Sequence, residues 1–334
     1  MKHEKILVAP LDWGLGHATR CVPLINKLLA EGHELLLCGS GNSGKFLQSE
    51  FPSLKFLDSP SYRIKYSSHL PMSLMMMLQI PRILKGIREE KSWLEDCIDK
   101  HRITKVISDN RYGLHSKKIH SVLITHQLMI KCPVWLKFAE GLLHKMVLGY
   151  AENFDECWIP DREGENNLSG ELSHKYKLPS NAKFIGPLSR FEDTSVSKDE
   201  GNKYDALIVL SGPEEQRKSM EDIVMSGAKL SGKKILLVRG LPAKKNFRMN
   251  YGNLSTVSHL PQEELKNAMA SSDLIICRSG YSSIMDLEAL GKTALLIPTP
   301  GQTEQEYLAK YLSEKKQFRM MSQEEFGKKF PFVD

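Results

Sequence analysis

Near the N-terminus, two glycines and a histidine follow an apolar run and precede a helical pattern. Gly14 and Gly16 let the backbone turn tightly and approach a ligand, and the start of the helix offers free amide groups to an anion. His17 stands at the same helix start, where a neutral imidazole can accept a proton near pH 7. A tight strand-to-helix turn with a structural histidine is the alternative. Thr19 occupies the third glycine position of a GxGxxG pattern, which argues against a nicotinamide site.

A second candidate loop lies in the C-terminal half, where an apolar run leads into Ser279 and Gly280 and a helical pattern follows. Hydroxyl and amide groups at that helix start suit a diphosphate. Asp286 shares the predicted helical face, where its carboxylate could accept both hydroxyls of a ribose; a solvated helix acid is the alternative. Ser211 and Gly212 form a similar strand-to-helix loop, for which an ordinary turn is the alternative.

Two further loops carry partial signals. Residues 39–46 nearly spell a phosphate-binding Walker A loop, but Phe46 replaces the Ser or Thr that would bind magnesium. We interpret these residues as a flexible loop rather than an ATP site. Farther along, Thr303 and Glu306 have the spacing of a helix capping box, which would explain Glu306 structurally. Gln305 has no such explanation.

The elements that must position these loops are short apolar runs separated by helical segments. This alternation predicts right-handed βαβ units and parallel sheets covered by helices, which is an α/β fold with two doubly wound halves. In such sheets ligands bind beyond the carboxyl ends of the strands. The predicted strands are Lys5–Pro10, Glu34–Cys38, Lys105–Ser108, Val122–Thr125, Asp205–Leu210, Lys234–Val238, Asp273–Cys277 and Thr293–Ile297.

The length of 334 residues is that of about two domains. The polar stretch from residue 161 to residue 204 is broken by Gly186 and Pro187, and we place the domain boundary there. We predict an N-terminal domain over residues 1–186, a linker over 187–203 and a C-terminal domain over 204–334. We also expect the last helical segment to pack back on the N-terminal domain.

Composition excludes several classes of protein. With 41% hydrophobic and 26% charged residues, the chain is an ordinary globular protein rather than a disordered or collagen-like one. The formal charge of +6 is too mild for a nucleic-acid binder, although it suits an anionic ligand or surface. The six cysteines include no CxxC pair and are expected to be reduced core thiols. The start of the sequence carries no signal-peptide pattern, so we expect a cytoplasmic protein.

Three motifs together resemble those of the GT-B glycosyltransferases: residues 14–17, residues 277–291 and residues 298–307. The sequence is most similar to family 28-like UDP-sugar transferases, which include the lipid II-forming N-acetylglucosaminyltransferase of peptidoglycan synthesis. The resemblance implies two Rossmann-like domains facing across a cleft, with the acceptor on the N-terminal domain and the nucleotide-sugar donor on the C-terminal domain. It implies transfer of N-acetylglucosamine or another hexose from UDP to a hydroxyl, with inversion and without a metal ion or other cofactor.

The resemblance also implies roles for individual residues. His17 would be the general base, and Asp109 is the second candidate for that role. The donor would be bound by Arg190, Ser211, Gly212, His259, Leu260, Arg278, Ser279, Gly280, Asp286, Gln305 and Glu306. For the acceptor we expect contacts from Gly14 and Gly16, and from Asn110, Arg111, His126 and Gln127, whose loops follow predicted strands and should border the cleft.

The acceptor loops depart from the family pattern. Residues 108–113 replace its second glycine-rich loop, and residues 125–128 replace a His-Glu-Gln-Asn run. We therefore expect an acceptor other than the peptidoglycan precursor. A UDP-sugar 2-epimerase, a nucleotide-sugar hydrolase and a non-catalytic nucleotide-sugar-binding subunit are the alternatives, since all of them would use the same donor domain.

Two stretches, residues 69–88 and 131–145, mix apolar side chains with basic ones. Helices of that composition bind anionic membrane surfaces. Peripheral contact with the inner face of a membrane would explain the composition of both stretches. Such a contact would also favour a lipid-linked acceptor. The alternative is that the apolar side chains belong to the core and the basic ones to a solvated edge.

Overall fold

Short apolar runs form the central strands of two sheets, one in each of two units. The computed structural model describes residues 3–62, 64, 78–191, 204–241 and 247–330. The first unit comprises Met1–Leu188 and the second Ser189–Asp334. Each sheet has seven strands in the described ranges, and the predicted α/β fold class is confirmed.

The first unit alternates strands and helices along the chain. Its strands are β1 (Lys5–Pro10), β2 (Glu34–Gly39), β3 (Lys55–Asp58), β4 (Lys105–Asp109), β5 (His120–Ile124), β6 (Glu156–Ile159) and β7 (Ala182–Phe184). Its helices are α1 (Leu15–Ala30), α2 (Gly41–Glu50), α3 (Ile80–His101), a 3₁₀ helix (Val134–Ala139), α4 (Glu140–Ala151) and α5 (Glu171–His174).

All neighbouring strands of the first sheet run parallel, in the order β3-β2-β1-β4-β5-β6-β7. The strand order reverses between β1 and β4, which lie side by side with Pro10 opposite Asp109. At such a reversal the connections leave in opposite directions and open a crevice where ligands bind. The loop after β1 and the end of β4 therefore meet at the position where an α/β sheet places its ligand.

The second unit repeats this architecture with one antiparallel edge. Its strands are β8 (Ala206–Val209), β9 (Ile235–Val238), β10 (Arg248–Tyr251), β11 (Leu254–Val257), β12 (Leu274–Cys277), β13 (Leu295–Leu296) and β14 (Arg319–Met320). Its helices are α6 (Glu214–Ala228), α7 (Gln262–Ser271), α8 (Tyr281–Ala289), α9 (Thr303–Glu314) and α10 (Gln323–Lys328). The order is β10-β11-β9-β8-β12-β13-β14, so the reversal falls between β8 and β12.

One prediction about the domain boundary needs revision. Ser189 and Arg190, which the predicted linker includes, belong to the second unit and contact its helix α8. Most of the remaining linker, residues 192–203, lies outside the described residues. The last helix contributes to the core of the second unit, where Phe326 and Phe330 are buried; its packing on the N-terminal domain stays a prediction.

All eight strands predicted from apolar runs are present, with ends shifted by at most two residues. The interpretation of residues 39–46 as a flexible loop is wrong, because helix α2 begins at Gly41. Ser43, inside that helix, is buried and donates a hydrogen bond to the Gly14 carbonyl oxygen at 2.7 Å. The second strand-to-helix turn thus supports the first one.

A buried ion pair fixes the loops around the end of β4. Arg111 Nε donates to Glu90 Oε1 at 2.7 Å, and both side chains are almost fully buried. The second carboxylate oxygen of Glu90 accepts from Tyr62 Oη at 2.7 Å and from the Gly113 amide at 3.1 Å. Helix α3 is thereby tied to the loops after β3 and β4.

We expect Gly113→Ala to destabilise the first unit. A Cβ atom there would lie 2.1 Å from the Ile87 backbone oxygen and 2.7 Å from Glu90 Cβ, so backbone would have to move. Overpacking of this kind costs about 3 kcal/mol, or roughly 6–12 °C in the thermal unfolding midpoint. The matched control is Gly149→Ala in α4, where nothing lies within 4 Å and the midpoint should hold or rise slightly. Equal midpoints for both variants would contradict this packing.

Candidate active site

His17 and Asp109 meet at the strand-order reversal of the first unit. Gly14, with φ +117°, ends the loop after β1 in a conformation that favours glycine, and His17 follows within the first turn of α1. Asp109 is the last residue of β4 and is 1% exposed. His17 Nδ1 lies 3.0 Å from Asp109 Oδ1, which leaves Nε2 as the ring nitrogen able to accept a proton when Nδ1 donates this bond.

Asp109 accepts more bonds than a free base would. Arg20 donates through Nε to Oδ2 at 2.6 Å and through Nη2 to Oδ1, and the Cys21 thiol lies 3.7 Å from Oδ2. With His17 these donors fill the four lone-pair positions of the carboxylate. Burial alone would raise the pKa of Asp109, but the Arg20 charge and the hydrogen bonds from Arg20 and His17 hold that pKa well below its usual range. The geometry therefore assigns Asp109 the role of orienting His17 rather than the role of a general base.

The other predicted acceptor residues divide into two groups. Arg111 and His126 are buried, Arg111 in its ion pair with Glu90 and His126 with Nδ1 3.1 Å from Arg20 Nη1. Their side chains hold the surrounding loops. Gly16 and Gln127 are partly exposed, within α1 and in the loop after β5 respectively.

Asn110 is locally strained beside Asp109. It has φ +56°, which is uncommon outside glycine, and its amide donates to the Ile124 carbonyl oxygen at 3.0 Å. Within the described structure its buried Oδ1 has no hydrogen-bond partner. A buried acceptor left unpaired costs about 1–3 kcal/mol, and such costs concentrate at functional sites. This supports the prediction that the loop after β4 takes part in function.

Sequence reasoning missed three residues of this region. Asp12 accepts hydrogen bonds from Ser40 and Ser61, and so joins the loops after β1, β2 and β3. Trp13 packs edge-on against Tyr62, with ring centroids 5.9 Å apart. Arg20 lies one helical turn beyond His17, and that spacing was the available signal.

In the second unit the predicted phosphate loops also lie at the strand-order reversal. Ser211 and Gly212 follow β8, and Ser279 and Gly280 follow β12. Gly280 is the N-cap of α8, and a Cβ there would meet nothing within 4 Å, so space is open at this helix start. Ser279 is fully buried and its hydroxyl donates to the Gln305 carbonyl oxygen at 2.8 Å, which ties the loop to α9.

Asp286 holds Arg190 at this site. Its Oδ1 accepts from Ser189 Oγ at 2.8 Å, and its Oδ2 accepts from Arg190 Nε at 3.1 Å. It is 6% exposed, so the alternative of a solvated helix acid is wrong. Burial raises the pKa of Asp286, while the Arg190 charge and the Ser189 hydroxyl oppose that effect. Asp286 therefore positions a guanidinium within the predicted donor site.

Two further predicted donor-binding residues, His259 and Leu260, lie near Arg190. His259 and Leu260 follow β11, and the next residue but one, Gln262, donates through Nε2 to the Arg190 carbonyl oxygen at 2.8 Å. Burial, and secondly the Arg190 charge, lower the pKa of His259 to about 4. The imidazole is thus neutral at pH 7 and adds no charge to this part of the site.

Gln305 and Glu306 order the loop before α9. Gln305 Oε1 accepts from the Thr299 amide at 2.9 Å, and Glu306 Oε1 accepts from the Gly301 amide at 2.8 Å. The predicted capping box at Thr303 is wrong, because Gln302 is the N-cap and accepts from the Gln305 amide. These contacts place the first turn of α9 beside Ser279.

Arg278 is turned into the core of the unit. Its buried guanidinium donates to the carbonyl oxygens of Ile297, Pro298 and Gln216 and to Gln323 Oε1, at 2.6–3.2 Å. Burial lowers the pKa of Arg278 to about 10. We therefore assign Arg278 to holding β13, α6 and α10 together, in place of the predicted direct contact with the donor.

The described ranges contain no group of three His, Cys, Asp or Glu side chains that could hold a metal ion. No helix within them has the length and apolar composition needed to cross a bilayer.

Known glycosyltransferases are similar to this chain in sequence and in fold. Residues 207–330 match the glycosyltransferase family 28 C-terminal domain. An uncharacterized glycosyltransferase of Methanosarcina acetivorans is 25% identical over 344 residues, covering 95% of this chain and 86% of that protein. A shorter match, 46% identical over 54 residues, joins 16% of this chain to 14% of a Desulforudis audaxviator protein. That protein is the UDP-N-acetylglucosamine--N-acetylmuramyl-(pentapeptide) pyrophosphoryl-undecaprenol N-acetylglucosamine transferase.

The fold is also that of a solved transferase. The crystal structure of Acinetobacter baumannii MurG superposes with a TM-score of 0.54 at 12% identity, covering 96% of this chain and 86% of that one. Together these matches confirm the GT-B fold, the resemblance to family 28-like transferases and the predicted enzyme class.

If Asp286 acts through Arg190, their substitutions should not be additive. Asp286→Ala and Arg190→Ala should each weaken the binding of UDP, the nucleotide of the predicted donor, about tenfold or more, because a charge-assisted bond is worth about 1.5–3 kcal/mol. The double variant should bind UDP about as weakly as either single variant. Calorimetry would measure the affinities, with Glu288→Ala on the same helix as the control. Wild-type affinity in Asp286→Ala would show that Asp286 does not support the donor site.

Proposed function

We propose that this glycosyltransferase transfers a hexose from a UDP-sugar to an acceptor hydroxyl, by one inverting displacement and without a metal ion or other cofactor. The observation that carries the proposal is the His17–Asp109 contact at the strand-order reversal of the first unit. A histidine oriented by a buried carboxylate is the arrangement that general-base catalysis requires. His17 keeps 17% of its side chain exposed, so a substrate hydroxyl can reach the ring.

In this mechanism His17 Nε2 removes the proton from the acceptor hydroxyl. The acceptor oxygen forms a bond to the anomeric carbon of the sugar, and the bond from that carbon to the UDP oxygen breaks. Asp109 keeps the ring in place and stabilises the imidazolium that forms. Because the new bond forms on the face opposite the leaving group, the anomeric configuration inverts.

The donor part of the proposal is supported by positive groups in the second unit. Negative charge develops on the diphosphate as UDP leaves, and preorganised donors stabilise such charge. The amides at the start of α8 and the Arg190 guanidinium, held by Asp286, supply those donors. Such groups can take the place of a metal ion, which supports the proposed metal independence.

For the acceptor we propose a lipid-linked hydroxyl compound at a membrane surface. The support is an exposed apolar strip, which we define as Val134, Trp135, Phe138 and Leu142, on the 3₁₀ helix and the start of α4. Their exposed fractions are 92%, 60%, 84% and 73%. Patches this apolar on a protein surface mark contacts with another protein or a membrane.

The charges around the apolar strip favour an anionic membrane as its partner. From residue 131 to residue 151 the basic side chains are Lys131, Lys137 and Lys145, and the last two are exposed. The single acid of that stretch, Glu140, is 3% exposed and accepts from the Cys132 amide. In the other stretch predicted to meet a membrane, residues 69–77 lie outside the described residues.

His17→Gln should lower kcat by about 10²–10⁴ and leave UDP affinity nearly unchanged, because the base is lost while the donor unit stays intact. The rate of UDP release from a UDP-sugar, with lipid extract as the source of acceptor, would measure this. His33→Gln is the control, since His33 precedes β2 at the opposite end of the sheet. Full turnover in His17→Gln would contradict the proposed base.

The protein should float with liposomes that contain acidic lipid at low salt, and less at high salt, because each basic residue adds about 1 kcal/mol of screened attraction. Phe138→Ser with Leu142→Ser should reduce flotation at least tenfold, since burying each apolar side chain contributes about 1.5–3 kcal/mol. Leu230→Ser is the matched control, as Leu230 is 74% exposed in the second unit. Absence of flotation at low salt, by protein that still binds UDP, would exclude the membrane contact.

A further inference from the structure

The guanidinium of Arg20 lies among three titratable groups of the His17 site. It is 2% exposed and makes two hydrogen bonds with Asp109. Its Nη1 lies 3.1 Å from His126 Nδ1, and its Nη2 lies 2.9 Å from His17 Nδ1. A guanidinium only donates hydrogen bonds, so His126 Nδ1 accepts and the proton of a neutral His126 sits on Nε2.

The position of Arg20 bears on which nitrogen of His17 carries the proton. His17 Nδ1 lies 3.0 Å from Asp109 Oδ1 and 2.9 Å from Arg20 Nη2, and it can donate or accept but not both. If it accepted from Arg20, its lone pair would face the carboxylate oxygen at 3.0 Å, and two acceptors repel. If it donates, the protons of His17 and Arg20 converge on one carboxylate oxygen. Electrostatics favour the second arrangement.

The same geometry sets the charge on His17. The titratable groups next to the His17–Asp109–Arg20 cluster include Cys21 from α1, which contacts Asp109, Tyr112 after β4, and His126 after β5, which contacts Arg20. Burial raises the pKa of both the Cys21 thiol and the Tyr112 hydroxyl, so neither ionises near pH 7. One carboxylate and one guanidinium remain, and they balance. A protonated His17 would place a second positive charge 2.9 Å from Arg20.

We infer that Arg20 is a positioning residue. Held by His126, its guanidinium balances the negative charge of Asp109 and so keeps His17 uncharged. The proton of His17 then lies on Nδ1, and Nε2 is available to accept a proton from a hydroxyl. The catalytic meaning of this inference rests on the proposed function. The protonation state itself can be observed in the free protein, so the two ideas can fail separately.

The test is a long-range ¹H–¹⁵N spectrum of the full chain with ¹⁵N-labelled histidine at pH 7. The chain has 11 histidines, and His17→Gln identifies the resonances of His17. We expect wild-type His17 to show a protonated Nδ1 and an unprotonated Nε2. Arg20→Met should give an imidazolium with both nitrogens protonated, because Asp109 would then face His17 without a counter-charge. Arg20→Lys, which keeps the positive charge, should retain the neutral ring.

Two results would overturn the inference. One is a wild-type His17 that is charged, or that carries its proton on Nε2. The other is a folded Arg20→Met, verified by thermal unfolding, in which His17 keeps the wild-type spectrum.

Kinetic measurements distinguish a positioning role of Arg20 from a merely structural one. In Arg20→Met the rate of UDP release at pH 7 should fall at least tenfold, and the acid limb of the pH–rate profile should move up by about one unit or more. Raising the pH should then restore most of the rate, and Arg20→Lys should restore it at pH 7. A loss that is the same at every pH would assign Arg20 to the fold alone. Unchanged turnover in His17→Gln would instead refute the proposed function and leave the spectroscopic result standing.

Discussion

The first unit depends on keeping one carboxylate charged in its interior. Asp109 ends the central strand β4 and is 1% exposed, and an isolated buried charge would cost several kcal/mol. The compensation comes from α1, which contributes the Arg20 guanidinium, the His17 ring and the Cys21 thiol. The start of α1 is therefore fixed against the end of β4, and with it the loop that carries Gly14. The charge that is costly to bury is also the one that orients the proposed base.

The second unit uses a buried acid in a comparable way. Asp286 on α8 holds Arg190, which comes from the chain just after the boundary between the units. In each unit a strand-order reversal opens a crevice, and a buried carboxylate near that reversal fixes a neighbouring side chain. Asp109 fixes the titratable His17, and Asp286 fixes the cationic Arg190. Removing Asp109 would leave Arg20 buried without compensation, and removing Asp286 would leave the partly exposed Arg190 without its carboxylate, which is why both acids should matter more than their limited exposure suggests.

Much of the fold could be read from local sequence. Runs such as KILVAP and ELLLC are apolar at every position after the first, because a parallel strand is buried on both faces. The strands that were missed are short or lie at sheet edges: β6 alternates buried and half-buried residues, and β10 is exposed throughout. Helix α2 was missed because Gly41 and Gly44 are typical of loops, whereas here Gly44 allows close contact with Gly39 of β2 and Phe56 of β3.

The candidate sites were predictable to different degrees for a physical reason. A diphosphate is bound largely by backbone amides at a helix start, so its site needs small residues at fixed local positions, and residues 277–291 display them. The His17 site is built from side chains 89 and 106 positions apart, such as Arg20 with Asp109 and with His126. No local pattern encodes which strands become neighbours, so Arg20 looked like an ordinary helix residue. Its role follows only once β4 is seen to lie beside β1, since that pairing brings a buried acid to the first turns of α1.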